Sequence, residues 1–142
     1  KYNDKILHQS KILKYFVEGD DKKKVQKDID KIFKKILKNK KYFISAKDLA
    51  LADTLINDGF SLPENFKYEE LSKKFEIPNN LLKLIDNEQK AFLSLKIVEI
   101  IGEDEIYQLD PETIYFVTNL LNKMNLAAIR NKIIISAFPE RA

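Results

Sequence analysis

Lys27, Lys31, Lys34, Lys35 and Lys38 recur three or four residues apart, a spacing that lines them along one side of a helix. The opposite side carries Val25, Ile29, Ile32, Phe33, Ile36 and Leu37. A positive stripe on a rigid helix can hold a phosphate backbone or anionic lipid headgroups by charge alone, and Lys22, Lys23 and Lys24 extend the patch toward the helix start. These five lysines are the anion-binding candidates. Arginine and interleaved aromatics, which read or stack bases, are missing from the stripe, and Asp28 and Asp30 sit within it. A solvated helix face is therefore the plainer reading.

Other chemistry is sparse. His8 is the single histidine, and a catalytic or metal-binding role needs a base, a nucleophile or further ligands that its neighbours do not supply. It is expected to be an ordinary surface or edge residue. Glu103, Asp104, Glu105, Asp110 and Glu112 form an acidic run without the ligand alternation or interior glycine of a calcium loop, so helix-end capping and solvation account for it. The sequence holds no glycine-rich phosphate loop, nucleophile elbow or paired-histidine zinc motif. No catalytic residue, cofactor site or metal site is assigned, and a non-enzymatic chain is expected.

Aromatic side chains gather between the basic segment and the middle of the chain: Tyr42, Phe43, Phe60, Phe66, Tyr68 and Phe75. Most should be core, because aromatics bury large areas. A few of them in a groove between helices would be the anchors of a partner site, and Tyr42, Phe43, Phe60, Phe66 and Tyr68 are the candidates.

The elements that position these residues read as helices. Ile6, Leu7, Leu13, Phe16 and Val17 recur at helical spacing, with Ile12 widening the face, which predicts a first helix over residues 3–17 ended by Gly19. Asp20 or Asp21 caps the second, lysine-striped helix, and the short linker makes the two an antiparallel hairpin. Ser45 with Asp48 three residues later resembles a capping box and opens a third helix through Leu49, Ala52, Leu55 and Ile56 to Gly59. Residues 60–66 read as a loop, and residues 67–75 as a short helix with Tyr68, Leu71 and Phe75 on one side. Pro78 stops it, and Leu81, Leu82, Leu84 and Ile85 lead into residues 87–102. Eight of the eleven residues 91–101 are apolar, so this helix is expected at the centre, covered on both flanks. Asp110 and Pro111 make a cap followed by a first-turn proline. They open a helix through Ile114, Phe116, Val117, Leu120, Leu121 and Met124, closed by Asn125, and a last helix runs over residues 126–138 through Ile129, Ile133, Ile134 and Ala137.

Composition bounds the whole. A chain of 142 residues with 44% hydrophobic residues suits one domain with a continuous core. Three glycines and four prolines, with little strict apolar/polar alternation, argue against sheets. The absence of cysteine excludes disulfides, zinc-thiolate sites and cysteine nucleophiles. No apolar run is long enough to span a membrane. The chain starts at Lys1 rather than Met, which is read as a trimmed or a processed chain, so that any targeting segment would already be gone and the compartment stays open. The net charge of +3 hides a split: residues 1–47 carry fifteen Lys against six acids (+9), and residues 48–142 ten Lys or Arg against sixteen acids (−6). Residues 1–41 are therefore read as a semi-independent basic hairpin. All but Arg130 and Arg141 of the basic residues are Lys, a compositional bias that dilutes the meaning of each lysine.

Residues 45–60, ending LINDGF, and residues 110–126, ending LLNKMNL, share one organisation: a capped helix, a glycine or asparagine stop, then an aromatic or leucine. Stacked hairpins of this kind make helical solenoids. On residues 45–60 and 92–137 the chain resembles the tetratricopeptide-like helical-repeat proteins common in bacteria, without that family's period of about 34 residues or its Trp, Leu-Gly and Tyr positions. The resemblance implies a degenerate repeat protein that holds other proteins in a groove. The expected fold is all-α, with six to seven helices in antiparallel hairpins, solenoid-like or as an orthogonal bundle. The expected function is a protein-interaction or scaffold module whose partner is a protein or peptide; weak, sequence-blind binding of nucleic acid or an anionic surface through the Lys27 to Lys38 face is the alternative.

Overall fold

The computed structural model describes residues 2–75, 88, 89, 92 and 108–138. The fold is all-α, and among the described residues there is no strand. Six helices are present there: α1 (Leu13–Glu18), α2 (Lys22–Lys38), α3 (Ala46–Asn57), α4 (Tyr68–Ser72), α5 (Pro111–Lys123) and α6 (Ala127–Ala137). Two single 3-10 turns, Leu7–Gln9 and Glu64–Phe66, complete them. Of the apolar helix expected over residues 87–102, only Glu88, Gln89 and Phe92 are described, each helical and exposed; the rest of it and the acidic run at Glu103, Asp104 and Glu105 lie outside the described residues.

Within the described part α3 is the axis. Ala46, Asp48, Leu49, Ala50, Leu51, Ala52, Thr54 and Leu55 are all buried, which requires cover on every side. α5 packs along it, α4 and the Leu7–Gln9 turn close two further flanks, and α6 lies against both α5 and α1. Three alanines in the first two turns leave room for these neighbours. The start of α3 is the expected capping box: Ser45 Oγ accepts from the Asp48 amide at 3.3 Å, and the Asp48 carboxylate accepts from the Ser45 amide at 3.2 Å.

α2 follows its sequence pattern closely. Asp21 caps it, accepting from the Lys23 amide at 3.2 Å, and Val25, Ile29, Ile32, Phe33 and Ile36 are buried. Each such side chain contributes roughly 1.5 to 3 kcal/mol of transfer free energy, so the apolar face, not the charged one, holds this helix down. Phe33 meets Phe66 edge-on, with ring centroids 5.0 Å apart.

The first helix is shorter than its periodicity predicts. Residues 3–12 form turns, and only Leu13–Glu18 is α-helical. The cause is competition for backbone amides: the Leu7 amide donates to the Tyr42 hydroxyl at 2.9 Å and the His8 amide to Asp48 at 3.2 Å. Asn3 and Asp4 take the amides of Lys5 and Lys11. Side-chain acceptors have replaced the carbonyls a helix would use. Leu7, Ile12, Leu13 and Phe16 are buried as expected, whereas Val17 is exposed. These residues of the basic segment belong to the same buried cluster as Leu49, Ile114 and Leu121.

α3 and α5 end in the same way. Phe60 N–H returns to the Leu55 carbonyl at 3.0 Å, and Leu126 N–H to the Leu121 carbonyl at 3.0 Å. The residue before each returning amide has a positive φ, 93° at Gly59 and 56° at Asn125. This six-residue closure satisfies carbonyls that a helix end leaves open. Asp110, by contrast, precedes α5 without any side-chain capping bond, and Pro111 alone marks that start.

Candidate interaction surface

Lys27, Lys31, Lys34, Lys35 and Lys38 are all exposed, and among the described residues none of the five enters an ion pair. The ammonium groups that do pair lie nearer the start of the chain: Lys11 with Asp28, Lys14 with Glu18, and Lys24 with Asp20. Asp30 is occupied by the Gln26 amide at 2.9 Å. The five ammonium groups are thus unpaired over about 17 Å of helix, with the Asp30 carboxylate standing among them.

The five aromatic groove candidates separate. Phe43 is 80% exposed. Tyr42 is half-buried, and its hydroxyl donates to Asp48 at 2.9 Å while accepting from Leu7. Phe60 and Phe66 are core residues, 7% and 2% exposed; Phe60 stacks edge-on against Tyr15 at 5.2 Å, and Lys22 Nζ sits 5.8 Å from its ring centre. Both rings are turned largely into the core, because the loop over residues 60–66 folds inward onto α2. Yet Phe60, Phe66 and Tyr68 do meet at one place, the floor and side of an open cleft of about 450 Å³ shared with Ile56, Leu62, Pro63, Glu64 and Glu69. On the other side of Pro63 lies a second notch of about 300 Å³, lined by Lys34, Leu37, Lys38, Pro63 and Asn65.

Behind this surface runs a polar network that sequence reasoning missed. Three aspartates spaced five apart on and after α3 each bind a different neighbour. Asp48 is fully buried and accepts from His8 Nδ1 at 2.6 Å, the His8 amide, the Tyr42 hydroxyl and the Ser45 amide. Asp53 accepts from Tyr68 at 2.9 Å, Asn119 at 3.2 Å and Asn122 at 2.8 Å. Asp58 accepts from Tyr15 at 2.8 Å and from both terminal nitrogens of Arg130. Asn122 joins the last two sites, donating to Asp53 and accepting from Arg130 Nη1 at 3.1 Å. A continuous path thus runs from Tyr15 to Tyr115, whose hydroxyl lies 3.0 Å from that of Tyr68.

The tyrosines at these carboxylates are held in their neutral, donating form. Burial, reinforced by Asp58, pushes the Tyr15 phenol up to about 12. Burial and Asp48 raise Tyr42, and burial and Asp53 raise Tyr68. Ionisation would set a phenolate against a carboxylate. His8, expected as an ordinary surface or edge residue, is partly buried and bound to Asp48. No group of three or more His, Asp or Glu side chains among the described residues could hold a metal ion, and no helix among them is long and apolar enough to cross a membrane. Two signals in the sequence could have exposed the network: Arg130 as one of two arginines in a lysine-rich chain, and aspartates recurring along an otherwise apolar helix.

No protein-family model matches the chain, and comparison with curated proteins and with solved structures found no match. The surface itself is therefore the ground for a functional reading. It offers two clefts divided by Pro63, one floored by aromatics and one rimmed by lysines.

Proposed function

We propose that the chain is a non-enzymatic interaction module whose protein or peptide partner docks across the two clefts on either side of Pro63. The observation that carries this reading is that Pro63 lines both, so the aromatic floor and the unpaired lysines of α2 form one continuous recognition surface. The carboxylates of Asp48, Asp53 and Asp58 are engaged by donors within the fold, a use that suits support rather than turnover. The matched closures of α3 and α5 support reading their segments as copies of one helical-repeat unit, in keeping with a scaffold role.

A photo-crosslinking side chain placed at Leu62, in the full-length protein in its native cell, tests the proposal. A discrete protein adduct, absent when the same group replaces Lys23 on the far end of α2, is the expected result. Nucleic-acid adducts alone, or identical adducts from both positions, would overturn it.

The unpaired stripe supports a second reading, weak sequence-blind binding to nucleic acid or an anionic surface. Such binding would retard duplex DNA at low salt and fade as salt rises; no retardation at low salt removes it.

A further inference from the structure

We infer that the notch between Leu37 and Pro63 receives a single apolar side chain of an acidic partner segment, whose carboxylates pair with Lys34 and Lys38. The inference rests on the reading of the chain as an interaction module and names the partner's chemistry. Leu37 is half-buried against the core, and with Pro63 it supplies an apolar wall; the charged side chains lining the notch are both lysines, and Asn65 adds an amide. Glu64, the acid adjoining Pro63, lines the neighbouring cleft instead. Lys27, Lys31 and Lys35 continue the positive field along the exposed face of α2; of the two acids within it, Asp28 pairs with Lys11 and Asp30 accepts from the Gln26 amide. A segment lying along this stripe spans about five residues if extended or about eleven if helical.

Charge and shape together choose the occupant. A phosphate backbone satisfies the lysines but leaves the apolar wall unused, and the arginines and stacking aromatics that hold nucleic acid are absent from the exposed face of α2, whose one aromatic, Phe33, is buried. A lipid surface is flat on this scale and cannot reach into a notch beside a helix. An acidic peptide with one leucine or phenylalanine satisfies both features: the anchor removes apolar surface from water, and the flanking acids are steered and oriented by the lysines.

The experiment titrates the full chain with a labelled Glu-rich peptide of about a dozen residues carrying one central Leu. Parallel titrations use its Leu→Ser version, its Glu→Gln version, duplex DNA and phosphatidylserine vesicles. The expected result is saturable binding that weakens about tenfold with Leu→Ser and at least about tenfold with Glu→Gln. Lys34→Glu and Lys38→Glu, both at exposed positions, should each weaken it about tenfold, against no more than about threefold for Lys23→Glu. Equal affinity for the Leu and Ser peptides, tighter binding of DNA or vesicles, or equal loss from Lys23→Glu and Lys34→Glu would overturn the inference. The Leu62 crosslinking result would still stand if the acidic peptides failed, which separates this inference from the broader proposal.

Discussion

Arg130 lays its guanidinium flat against the carboxylate of Asp58, with Nη1 2.7 Å from one oxygen and Nη2 2.9 Å from the other. The arginine is 1% exposed, and its remaining N–H groups reach Asn122 and Asn131. The pair joins the end of α3 to α6, seventy-two residues on. A buried ion pair returns its desolvation cost only when geometry and supporting hydrogen bonds are this complete.

Removing one partner should therefore cost more than the pair contributes. Arg130→Ala is expected to lower stability by about 3 to 5 kcal/mol, because Asp58 loses its countercharge, keeping only the Tyr15 hydroxyl, and Asn122 Oδ1 loses its donor. Arg130→Lys should also cost about 2 kcal/mol, since an ammonium cannot reproduce the two-pronged contact. Combining Arg130→Met with Asp58→Leu should recover much of the loss. Urea unfolding of the four proteins checks this; an Arg130→Ala variant as stable as the parent would mean that the contact is dispensable.

Asp48 gathers four donors in a fully buried position. Asp48→Asn keeps the shape but sets an amide N–H₂ against groups that themselves donate, at an expected cost of about 2 kcal/mol. Asp48→Ala should cost about 3 kcal/mol or more and also free the Leu7–Gln9 turn. Amide exchange at Leu7 and His8 should accelerate in both variants; unchanged exchange there would show that Asp48 does not hold the turn.

Alkaline pH should destabilise the fold through its buried tyrosines. Below the ordinary phenol value of 10.0 the contribution of Tyr15 is complete. Above it the unfolded chain releases the Tyr15 proton while the folded protein keeps it, so stability falls until pH passes about 12. Tyr42 and Tyr68 act in the same direction. Tyr15→Phe should lose about 1 kcal/mol at neutral pH with its bond to Asp58, but its stability should decline less steeply with pH. Thermal melts across the alkaline range, read beside tyrosinate absorbance, test the sign; a steeper decline in the variant would contradict it.

The two matched helix ends predict changes of opposite sign. At Gly59 an added Cβ meets nothing closer than Lys22 Nζ at 3.8 Å, so Gly59→Ala should cost about 1 kcal/mol through conformation alone. Asn125→Gly relieves a positive φ and should gain a few tenths of a kcal/mol. Differential scanning calorimetry of the pair would expose a closure that depends on contacts rather than backbone shape, since both changes would then destabilise.

Among the aromatic candidates, burial divides stability from recognition. Phe66→Ala should cost about 3 to 5 kcal/mol, whereas Phe43→Ser, at an 80% exposed site, should leave the melting temperature within about a degree. Melting curves of the two variants check this; a large loss from Phe43→Ser would place Phe43 in a packed contact.

Local rules were legible in the sequence and distant partners were not. The alternation of Val25, Ile29, Ile32, Phe33 and Ile36 gave α2, and Ser45, Asp48, Gly59 and Asn125 marked helix ends through bonds spanning five residues or fewer. Asp48 is legible as a cap, but not as the acceptor for His8, which lies forty residues away. The same distance explains the overlong first helix, whose periodicity could not reveal that Tyr42 and Asp48 claim its amides. Asp110 shows the converse, a cap-type residue left without a cap bond. Arg130 is masked in the sequence because Ile129, Ile133 and Ile134 satisfy the helical pattern around it. The lysine stripe was legible in full, since exposure on α2 follows directly from what the opposite face buries. For the aromatics, type alone could not distinguish Phe43 in water from Phe66 in the core.

The five-residue spacing of Asp48, Asp53 and Asp58 turns each carboxylate about 140° from the last around α3. An apolar cylinder rimmed with alanine and leucine could settle among its neighbours at several rotational settings with similar burial. Turning it by one position would swing every aspartate off its donors at once, stranding His8, Tyr68 and Arg130 together. Greasy contact supplies the cohesion of these helices, and the three acids act as a combination lock that admits one register.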